Sequence, residues 1–314
     1  MSISGQKLKR NHVPYRYGLE ELPFDITRQE LLFYFSFDDK DKAFIASRVK
    51  LKISRIVLGI HLGAFRFIGR SQFYPEKTPA VVIKYVTDQL GIVINNSFTL
   101  TYLDRERTRR EHIQLVRKFL RLNPFSVDCH SLLTDYLVGE NLDPGHLPFW
   151  TKAAEDFLRI KQFVLPSCKV LRRIVLSARY QSIERVMYEI YEMVGNKQKE
   201  QLETLLQKHD QTGTSWNMLV DKNIYTVSSE KIHVVLKNIK KIRTLRLQEL
   251  DFQDLHLQHI RNFAQQGLHL TAKKLSEYSP ARRYTIMVAT LKELEGELID
   301  IAIQMNDEIL AGVF

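Results

Sequence analysis

The residue types most able to do chemistry in this chain are arginines, and they are concentrated in the segment 104–122. That segment holds seven bases against three acids. The bases are Arg105, Arg107, Arg109, Arg110, Arg117, Lys118 and Arg121. A guanidinium group presents a planar fork of donors that can bind a guanine edge or a phosphate through two parallel hydrogen bonds. The segment is therefore the first candidate for contact with a nucleic acid.

The spacing within this segment predicts a helix with one cationic face. Four polar residues recur at intervals of four, three and four, so they form one stripe: Arg110, Gln114, Arg117 and Arg121. A neighbouring apolar stripe is expected to be buried: Ile113, Val116 and Leu120. The alternative is a solvated face on which the acids of the segment pair with arginines one turn away.

This cationic helix would follow a shorter one. Thr78 as a capping residue, followed by Pro79 in the first turn, is typical of a helix start, and Gly91 after Leu90 is typical of a helix end. A helix that stops at Gly91 and a second that starts near residue 104 fit a helix-turn-helix variant with a long turn. In that motif the second helix enters the major groove of double-stranded DNA. RNA is disfavoured, because no aromatic platform on a sheet is visible.

A second basic cluster follows Leu165-Pro166-Ser167. Its members are Lys169, Arg172, Arg173 and Arg179. The apolar residues between them, Leu171, Ile174, Val175 and Ala178, predict a helix with a buried side. A helix that starts at Ser167 would offer free backbone N–H groups to a phosphate. The alternative is again a solvated basic face.

A third cluster and the N-terminal tail carry further bases. The cluster holds one acid, Glu230, and six bases: Lys231, Lys237, Lys240, Lys241, Arg243 and Arg246. Its apolar side would be Ile232, Val235, Leu236, Ile239 and Ile242. Lysine is a point charge suited to the DNA backbone, so we expect phosphate contacts here, with a solvated face as the alternative. Lys7, Lys9 and Arg10 could form an arm in a minor groove, or an unstructured tail.

Patterns typical of a catalytic or metal site are weak. Neither a Walker nor a dinucleotide-binding glycine loop is present. His256 and His259 lie one turn apart without a third ligand nearby, and Asp38 to Asp41 is typical of an acidic helix start. Glu293, Glu295 and Glu297 would point apart on a helix, and Asp300 is expected to be a paired, buried acid. We therefore predict no catalytic residues, no metal and no cofactor.

Composition bounds the class of protein. The chain has 314 residues, 44% hydrophobic and 26% charged, with a formal net charge of +10. This composition predicts a folded, soluble protein with a polyanionic partner. Two cysteines, Cys129 and Cys168, are too few for a disulfide framework, and a reducing cytoplasm is the expected compartment. The most apolar run, Ile56 to Phe65, is shorter than the twenty or so residues that a bilayer needs. Gly59 and Gly63 within it are expected to allow close helix packing.

Helical periodicity runs through most of the chain and predicts an all-α fold, built from several small helix-turn-helix-like domains in series. Helices are expected from Thr27 to Phe35, from Ile53 to near Gly69, and over 78–90, 104–122, 128–138, 148–162, 168–194, 197–208, 228–247 and 280–310. Phe98 to Tyr102 could be a short strand or an extended linker. In the last helix, apolar residues alternate spacings of four and three, which is typical of a helix that packs along another.

The domain organisation predicted from these patterns has five parts. Residues 1–18 form a basic tail, 19–125 a first helical DNA-binding domain and 126–210 a second one. The polar stretch at 210–214 places a linker at 211–227. Residues 228–314 form a third helical domain, whose final helix could support a homodimer.

Several of these segments together resemble the start of Tn-three-family replicative transposases. The resemblance rests on the run from Leu58-Gly59 to Gly69-Arg70, on Pro79 to Leu90-Gly91, on Tyr102 to His112 with Ile113 and Arg117, on Leu165-Pro166 with Leu171-Arg172-Arg173, Val175 and Ala178-Arg179, and on Arg282-Arg283-Tyr284 with Asp300 and Met305. These motifs occur in one order from about Ile26 to the end of the chain.

The resemblance implies a helical region that binds the terminal inverted repeats of a transposon. In the family this region precedes an RNase-H-like, metal-dependent Asp-Asp-Glu catalytic domain. The chain ends at Phe314, before any of those acids, so we expect a fragment or a stand-alone bacterial protein near the nucleoid. The alternatives are a free-standing regulator that occupies the same repeats and a helical scaffold that binds acidic proteins.

Overall fold

The computed structural model describes residues 15–72, 74, 77–94, 106–140, 142–209, 213–221 and 231–311. Within these ranges the chain forms fourteen α-helices and one antiparallel ladder of two-residue strands. The predicted all-α fold is confirmed. The segment from Phe98 to Tyr102, where a strand or a linker was expected, lies outside the described residues.

The chain divides into two compact units. Unit 1 comprises Met1–Leu137 with Pro148–Ser177, and unit 2 comprises Val138–Leu147 with Ala178–Phe314. The division into functional domains at residues 18, 125, 210 and 227 stays a prediction.

Unit 1 is built around its third helix. Its helices are α1 (Arg28–Tyr34), α2 (Asp39–Arg48), α3 (Lys52–Ile68), α4 (Ala80–Leu90), α5 (Glu106–Phe119), most of α6 (Val127–Gly139) and of α7 (Leu147–Ile160), and the first part of α8 (Cys168–Met193). Helices α1, α2, α4 and α5 all pack against α3. The two helices expected on either side of a long turn, α4 and α5, therefore pack against the same helix, α3.

Helix α3 is buried on every side over its apolar run, Ile56 to Phe65. Its glycines let neighbouring side chains approach closely, as predicted. A side-chain carbon at Gly63 would lie 2.1 Å from the ring of Phe35, and one at Gly59 would lie 2.9 Å from Val86. The helix ends at Gly69 in the left-handed conformation, with φ 72°. No helix of the described residues is long and apolar enough to span a membrane.

Helix caps follow the sequence closely, with one exception. Thr27 caps α1 in a reciprocal arrangement with Glu30, and the acidic helix start at Asp38 is likewise confirmed by the cap of α2. The predicted cap at Thr78 is wrong. Pro79 occupies the capping position of α4, and the buried hydroxyl of Thr78 has no hydrogen-bond partner among the described residues.

Three helices of unit 1 end at one place. After α5, the backbone N–H of Asn123 donates to the carbonyl of Gln162, at 2.8 Å, just beyond the end of α7. The N–H of Val164 donates in return to the carbonyl of Asn123, at 2.9 Å. The N–H of Leu165 donates to the carbonyl of Gly69, also at 2.9 Å. Main-chain bonds thus fix the ends of α3, α5 and α7 against each other.

Unit 2 is built around the final helix. Its elements are the remainder of α8, α9 (Asn196–Leu206), β1 (Lys208–His209), β2 (Gly213–Thr214), α10 (Ser215–Val220), α11 (Ile232–Arg243), α12 (Leu257–Leu268), α13 (Ala272–Ser276) and α14 (Pro280–Ala311). Helices α9, α11 and α12 pack on α14. The predicted apolar seam is buried at Met287, Leu291, Leu294, Leu298 and Met305, and Ile301 is partly buried.

A linker was predicted at 211–227, and its described part, 213–221, contains packed structure. Thr214 caps α10 by accepting a hydrogen bond from the N–H of Asn217. Trp216 is fully buried, and its indole N–H donates to the carbonyl of Leu270 at 2.8 Å. The apolar Trp216 and Leu219 explain the difference, because their burial in unit 2 outweighs the polar residues around them.

Candidate nucleic-acid interface

The side of α5 that faces the core of unit 1 is the predicted apolar one. Val116 is fully buried, and Ile113 and Leu120 are partly buried against the core. Phe119 stacks on Phe44 of α2, with ring centroids 4.0 Å apart. The opposite side of the helix is therefore the one available to a partner.

Two histidines lie in this core, and neither contributes positive charge. His61 of α3 is fully buried, and neither ring nitrogen has a hydrogen-bond partner among the described residues. Burial lowers the pKa of His61 to about 3, with a smaller effect from His112. Burial also lowers the pKa of His112 on α5. The charge of α5 at neutral pH comes from its arginines and Lys118.

The first arginines of α5 already have neighbours. Arg107 pairs with Glu111 at 3.0 Å, and Arg110 pairs with Glu106 one turn earlier. Arg109 lies over the ring of Tyr74, 5.7 Å from its centroid. The acid pairing foreseen as the alternative thus occurs at two arginines. Both pairs are exposed, so each is worth little and can be replaced by a phosphate.

The next two residues of the stripe border a cleft. The side chains of Gln114 and Arg117 make no hydrogen bond or ion pair with any described residue. Both line a cleft of about 590 Å³, together with Arg70, Phe125 and Ser167. The uncommitted donors of α5 are therefore found in its second half.

Arg121 does not continue the stripe. Helix α5 ends at Phe119, and Arg121 has a left-handed backbone with φ 55°. The turn is closed by a hydrogen bond of 3.0 Å from the N–H of Leu122 to the carbonyl of Arg117. The predicted helix to residue 122 is wrong at this end. Arg121 is nevertheless exposed, and its charge suits the carboxyl end of a helix.

The start of α8 does not offer the phosphate site that was expected. The backbone N–H of Cys168 donates to the carboxylate of Glu20. Glu20 is held in turn by Arg70 at 3.2 Å, and Arg70 also lies 3.6 Å from Glu155. The chain's own carboxylate therefore occupies the position in which a phosphate was expected.

The basic residues of the second cluster are divided between the units. Lys169, Arg172 and Arg173 are exposed in unit 1 and have no ion-pair partner among the described residues. The predicted apolar side of this helix is buried at Leu171, Ile174, Val175 and Ala178. Arg179 belongs to unit 2, where it lines a different cleft.

The third cluster lies on α11 in unit 2. Lys237 and Lys240 are exposed and unpaired among the described residues, and Lys241 is half-buried. Burial, and to a lesser extent Lys237, lowers the pKa of Lys241. Arg243 is committed to Glu295 of α14 at 2.8 Å. The prediction that Leu236 is buried is wrong, since it is 49% exposed.

Four candidate residues, Lys7, Lys9, Arg10 and Arg105, lie outside the described residues. The acids considered for catalysis near the end of the chain, here called the late acids, all lie on α14: Glu293, Glu295, Glu297 and Asp300. Glu295 forms the ion pair with Arg243. Asp300 is exposed, so the expectation that it is buried is wrong. The described residues contain no group of three or more His, Cys, Asp or Glu side chains that could hold a metal ion.

Sequence patterns missed a buried polar network in unit 1. Glu155 lies on α7 between Arg70 and Arg159 and accepts a hydrogen bond from the N–H of Gly18 at 2.9 Å. Arg159 also lies over the ring of Tyr15, 4.1 Å from its centroid. Arg159 lies one turn from Glu155, but Arg70 and Gly18 are distant in the chain, so local spacing could not have revealed their pairing with Glu155.

The fold and the surface thus define an all-α protein in which several exposed helix faces carry cations without an ion-pair partner among the described residues. Residues 15–178 match the family described as "Domain of unknown function (DUF4158)", and the chain belongs to that family.

Similarity to transposases extends over most of the chain. It is 25% identical over 290 residues to the transposase for transposon Tn501 of Pseudomonas aeruginosa, covering 92% of this chain and 29% of that protein. It is 23% identical over 276 residues to the transposase for transposon Tn1546 of Enterococcus faecium, covering 87% and 28%. It is 24% identical over 291 residues to the transposase for transposon gamma-delta of Escherichia coli (strain K12), covering 90% and 28%. The resemblance to Tn-three-family transposases is confirmed, and the chain spans less than a third of these relatives' length.

Proposed function

We propose that this chain binds double-stranded DNA at the terminal inverted repeats of a transposon and acts in DNA transposition at the bacterial nucleoid. In this proposal residues 1–314 recognise DNA and catalyse no step. The similarity to proteins named as transposases supports the role in transposition. Exposed cations on several helices support DNA as the partner.

One observation carries the proposal: a cleft of unit 1 is lined by residues of the first predicted basic cluster and by the residue that precedes the second. Gln114 and Arg117 line it from α5, and Ser167 lines it immediately before α8. Lys169 follows two residues after Ser167 and is exposed. Segments some fifty residues apart in sequence therefore line one cleft, and exposed bases follow both segments in the chain. Positive charge gathered near one cleft favours a polyanionic partner.

The chemistry of each cluster suggests a division of roles. Gln114 and Arg117 combine amide and guanidinium donors, which suit base edges in the major groove. Lys169, Arg172 and Arg173 lie in the first turns of α8 and suit the neighbouring phosphates. Lys237, Lys240 and Lys241 of unit 2 would neutralise backbone charge without reading sequence.

The paired arginines fit this proposal as well. Arg107 and Arg110 are exposed, and each shares its guanidinium with a carboxylate one turn away. A phosphate carries a full charge and several acceptor oxygens, so it can replace the glutamate on approach. Until then the pairs hold the side chains along the helix.

The experiment that tests the proposal begins with selection from a pool of random duplexes, which requires no knowledge of the repeat. The enriched duplex and a scrambled duplex of equal composition are then titrated by fluorescence anisotropy. With about 6–10 phosphates neutralised, affinity should fall about a thousandfold or more between about 50 and 200 mM salt. Enrichment of a sequence found at transposon ends is expected. A pool that stays random, together with a salt slope near zero, would contradict the proposal.

A further inference from the structure

Helix α12 presents a face composed of amide, guanidinium and imidazole groups. Its residues, here called the amide face, are Gln258, Arg261, Asn262, Gln265, Gln266 and the C-capping His269. The helix contains no acid, whereas exposed helix faces usually mix charges of both signs. Because it carries a single arginine, a search for clustered basic residues does not find it.

The other side of α12 is fixed against α14. Gly267 allows this approach, since a side-chain carbon there would lie 1.9 Å from the hydroxyl of Thr290. That hydroxyl also lies 3.3 Å from the carbonyl of Ala264, to which it can donate. Ile260 and Phe263 are buried on the same side. The helix is therefore held in one rotational setting, which gives the amide face a defined direction.

Part of the amide face is already ordered. The side-chain N–H of Gln258 donates to the side-chain carbonyl of Asn262 at 3.0 Å. This bond uses the acceptor of Asn262 and leaves its amide hydrogens without a partner among the described residues. A side chain ordered before binding loses less entropy when it meets a ligand.

A cleft beside the amide face adds a cation and a neutral imidazole. The cleft, about 460 Å³, is lined by Asn262 and Gln266 of α12 and by Arg179 of α8. Arg179 has no ion-pair partner among the described residues. His259, also in the lining, is 2% exposed, and its imidazole makes no hydrogen bond to any described residue. Burial lowers the pKa of His259 to about 4, so its ring is neutral at neutral pH.

We infer that the amide face of α12 reads base edges in the major groove and that Arg179 binds an adjacent phosphate. The side-chain amides of Asn and Gln match the donor and acceptor pair of adenine, and Arg261 matches guanine. Twelve residues make a helix of roughly 18 Å, and the major groove admits an α-helix. This inference deepens the proposed function and rests on it.

The low charge of the surface favours DNA bases over an acidic protein. An acidic partner would require several cations, and the amide face with its cleft offers two, Arg261 and Arg179, beside four side-chain amides. Neutral amides gain specificity from matched donors and acceptors and add little to non-specific attraction. The surface thus complements the lysines of α11, which suit phosphates.

The test uses the double variant Gln265→Ala, Gln266→Ala of the full chain on the duplex enriched by the unaltered protein. Alanine preserves helix propensity, so folding should be retained. Binding to the enriched duplex should weaken about tenfold or more, with little change on scrambled DNA and an unchanged salt slope. Arg179→Ala should instead weaken both duplexes and lower the salt slope by about one. The control is Gln248→Ala, Gln253→Ala, which alters two exposed glutamines of unit 2 outside α12.

A second variant, Gln266→Glu, keeps the side chain's size and adds a negative charge. It should weaken binding to both duplexes, because the charge would lie against DNA. If the unaltered protein enriches a sequence and both α12 variants bind it as tightly as the control, the inference is overturned and the proposed function stands. If the unaltered protein enriches no sequence, the proposed function fails and the inference fails with it.

Discussion

Gly63 of α3 lies so close to Phe35 that a side-chain carbon there would come within 2.1 Å of the phenyl ring. Phe35 is fully buried, so its ring is enclosed by the core of unit 1. The central helix of unit 1 and the residue that follows α1 are therefore fitted to each other at a single position.

Replacing Gly63 by alanine should destabilise unit 1 by about 1–3 kcal/mol or more, because the methyl group overpacks the core. The chain has two tryptophans, Trp150 in unit 1 and Trp216 in unit 2, so urea unfolding in a Trp216→Phe background reports on unit 1. The control is Gly296→Ala in the interior of α14, where a side-chain carbon would meet no atom within 4 Å beyond the helix's own backbone. It should stabilise unit 2 by about 0.5–1 kcal/mol, read from Trp216 in a Trp150→Phe background. Equal effects of the two substitutions would contradict the packing described for Gly63.

His61 should make unit 1 sensitive to acid. Its pKa is lowered from about 6.5 to about 3 in the folded chain, so the unfolded chain binds the proton more tightly. Stability is therefore present above about pH 6.5 and is lost as the pH falls towards 3, by up to about 1.4 kcal/mol per pH unit. His61→Leu should flatten the loss between about pH 7 and pH 5, measured as the free energy of unfolding from Trp150 fluorescence. The control is His233→Gln, at an exposed histidine of α11, which should not change how the free energy of unfolding depends on pH. The same pH dependence in His61→Leu as in the unaltered protein would contradict the role assigned to His61.

Arg117 should matter for sequence recognition. Arg117→Ala should cost about 1–3 kcal/mol on the enriched duplex and little on a scrambled one, because its side chain is free to contact bases. Arg110→Ala should cost less, since Arg110 must first leave Glu106. Arg28→Ala, an exposed arginine of α1, controls for the loss of one positive charge. If Arg117→Ala weakens both duplexes equally, α5 contacts phosphates and does not read bases.

The lysines of α11 should act through charge alone. The double variant Lys237→Ala, Lys240→Ala should weaken the enriched and the scrambled duplex by similar factors and lower the salt slope by about two, as expected when two phosphate contacts are lost. Anisotropy titrations over a range of salt concentrations measure both quantities. Arg243→Ala is a suitable control, because Arg243 is already paired with Glu295. A loss confined to the enriched duplex would show that α11 reads sequence.

Residues 1–314 should bind transposon ends without cleaving them. Two-metal chemistry requires acids that converge on the ions, and the late acids lie along one helix, with Glu295 bound to Arg243. A labelled repeat-end duplex incubated with magnesium or manganese should therefore migrate intact on a denaturing gel. Cleavage at the repeat boundary that is lost in Glu293→Gln, Glu297→Gln would overturn this prediction.

Local sequence signals predicted most of the helices, because caps, glycine stops and apolar periodicity act within one or two turns. The glycine stop at Gly69 and the capping box at Thr27 were confirmed on that basis. Arg121 shows where such signals fail. Nothing in its own neighbourhood marks a left-handed residue, and the backbone pairing of Asn123 with the end of α7 accompanies the early end of α5.

The residue types of the candidate surface could be predicted from the sequence. Which of those residues already form ion pairs or hydrogen bonds within the chain could not. A pattern of arginines on α5 could be read from the spacing, but which of them pair with Glu106 and Glu111 required the structure. The same holds for the start of α8, where Glu20, almost 150 residues away in sequence, takes the exposed N–H. Helix α12 was missed because its asparagine and glutamine side chains are neutral, and the candidate helices were identified by their charged residues.

The backbone pairing of Asn123 with the segment after α7 has a consequence for how such a surface can change. The bonds at the ends of α3, α5 and α7 join main-chain atoms only, so they do not depend on which side chains α5 carries. Substitutions at Arg110, Gln114 or Arg117 can therefore change the exposed surface of α5 while the angle at which the helix is held stays the same. Under the proposed function, this arrangement would let the preferred DNA sequence change without a change of fold.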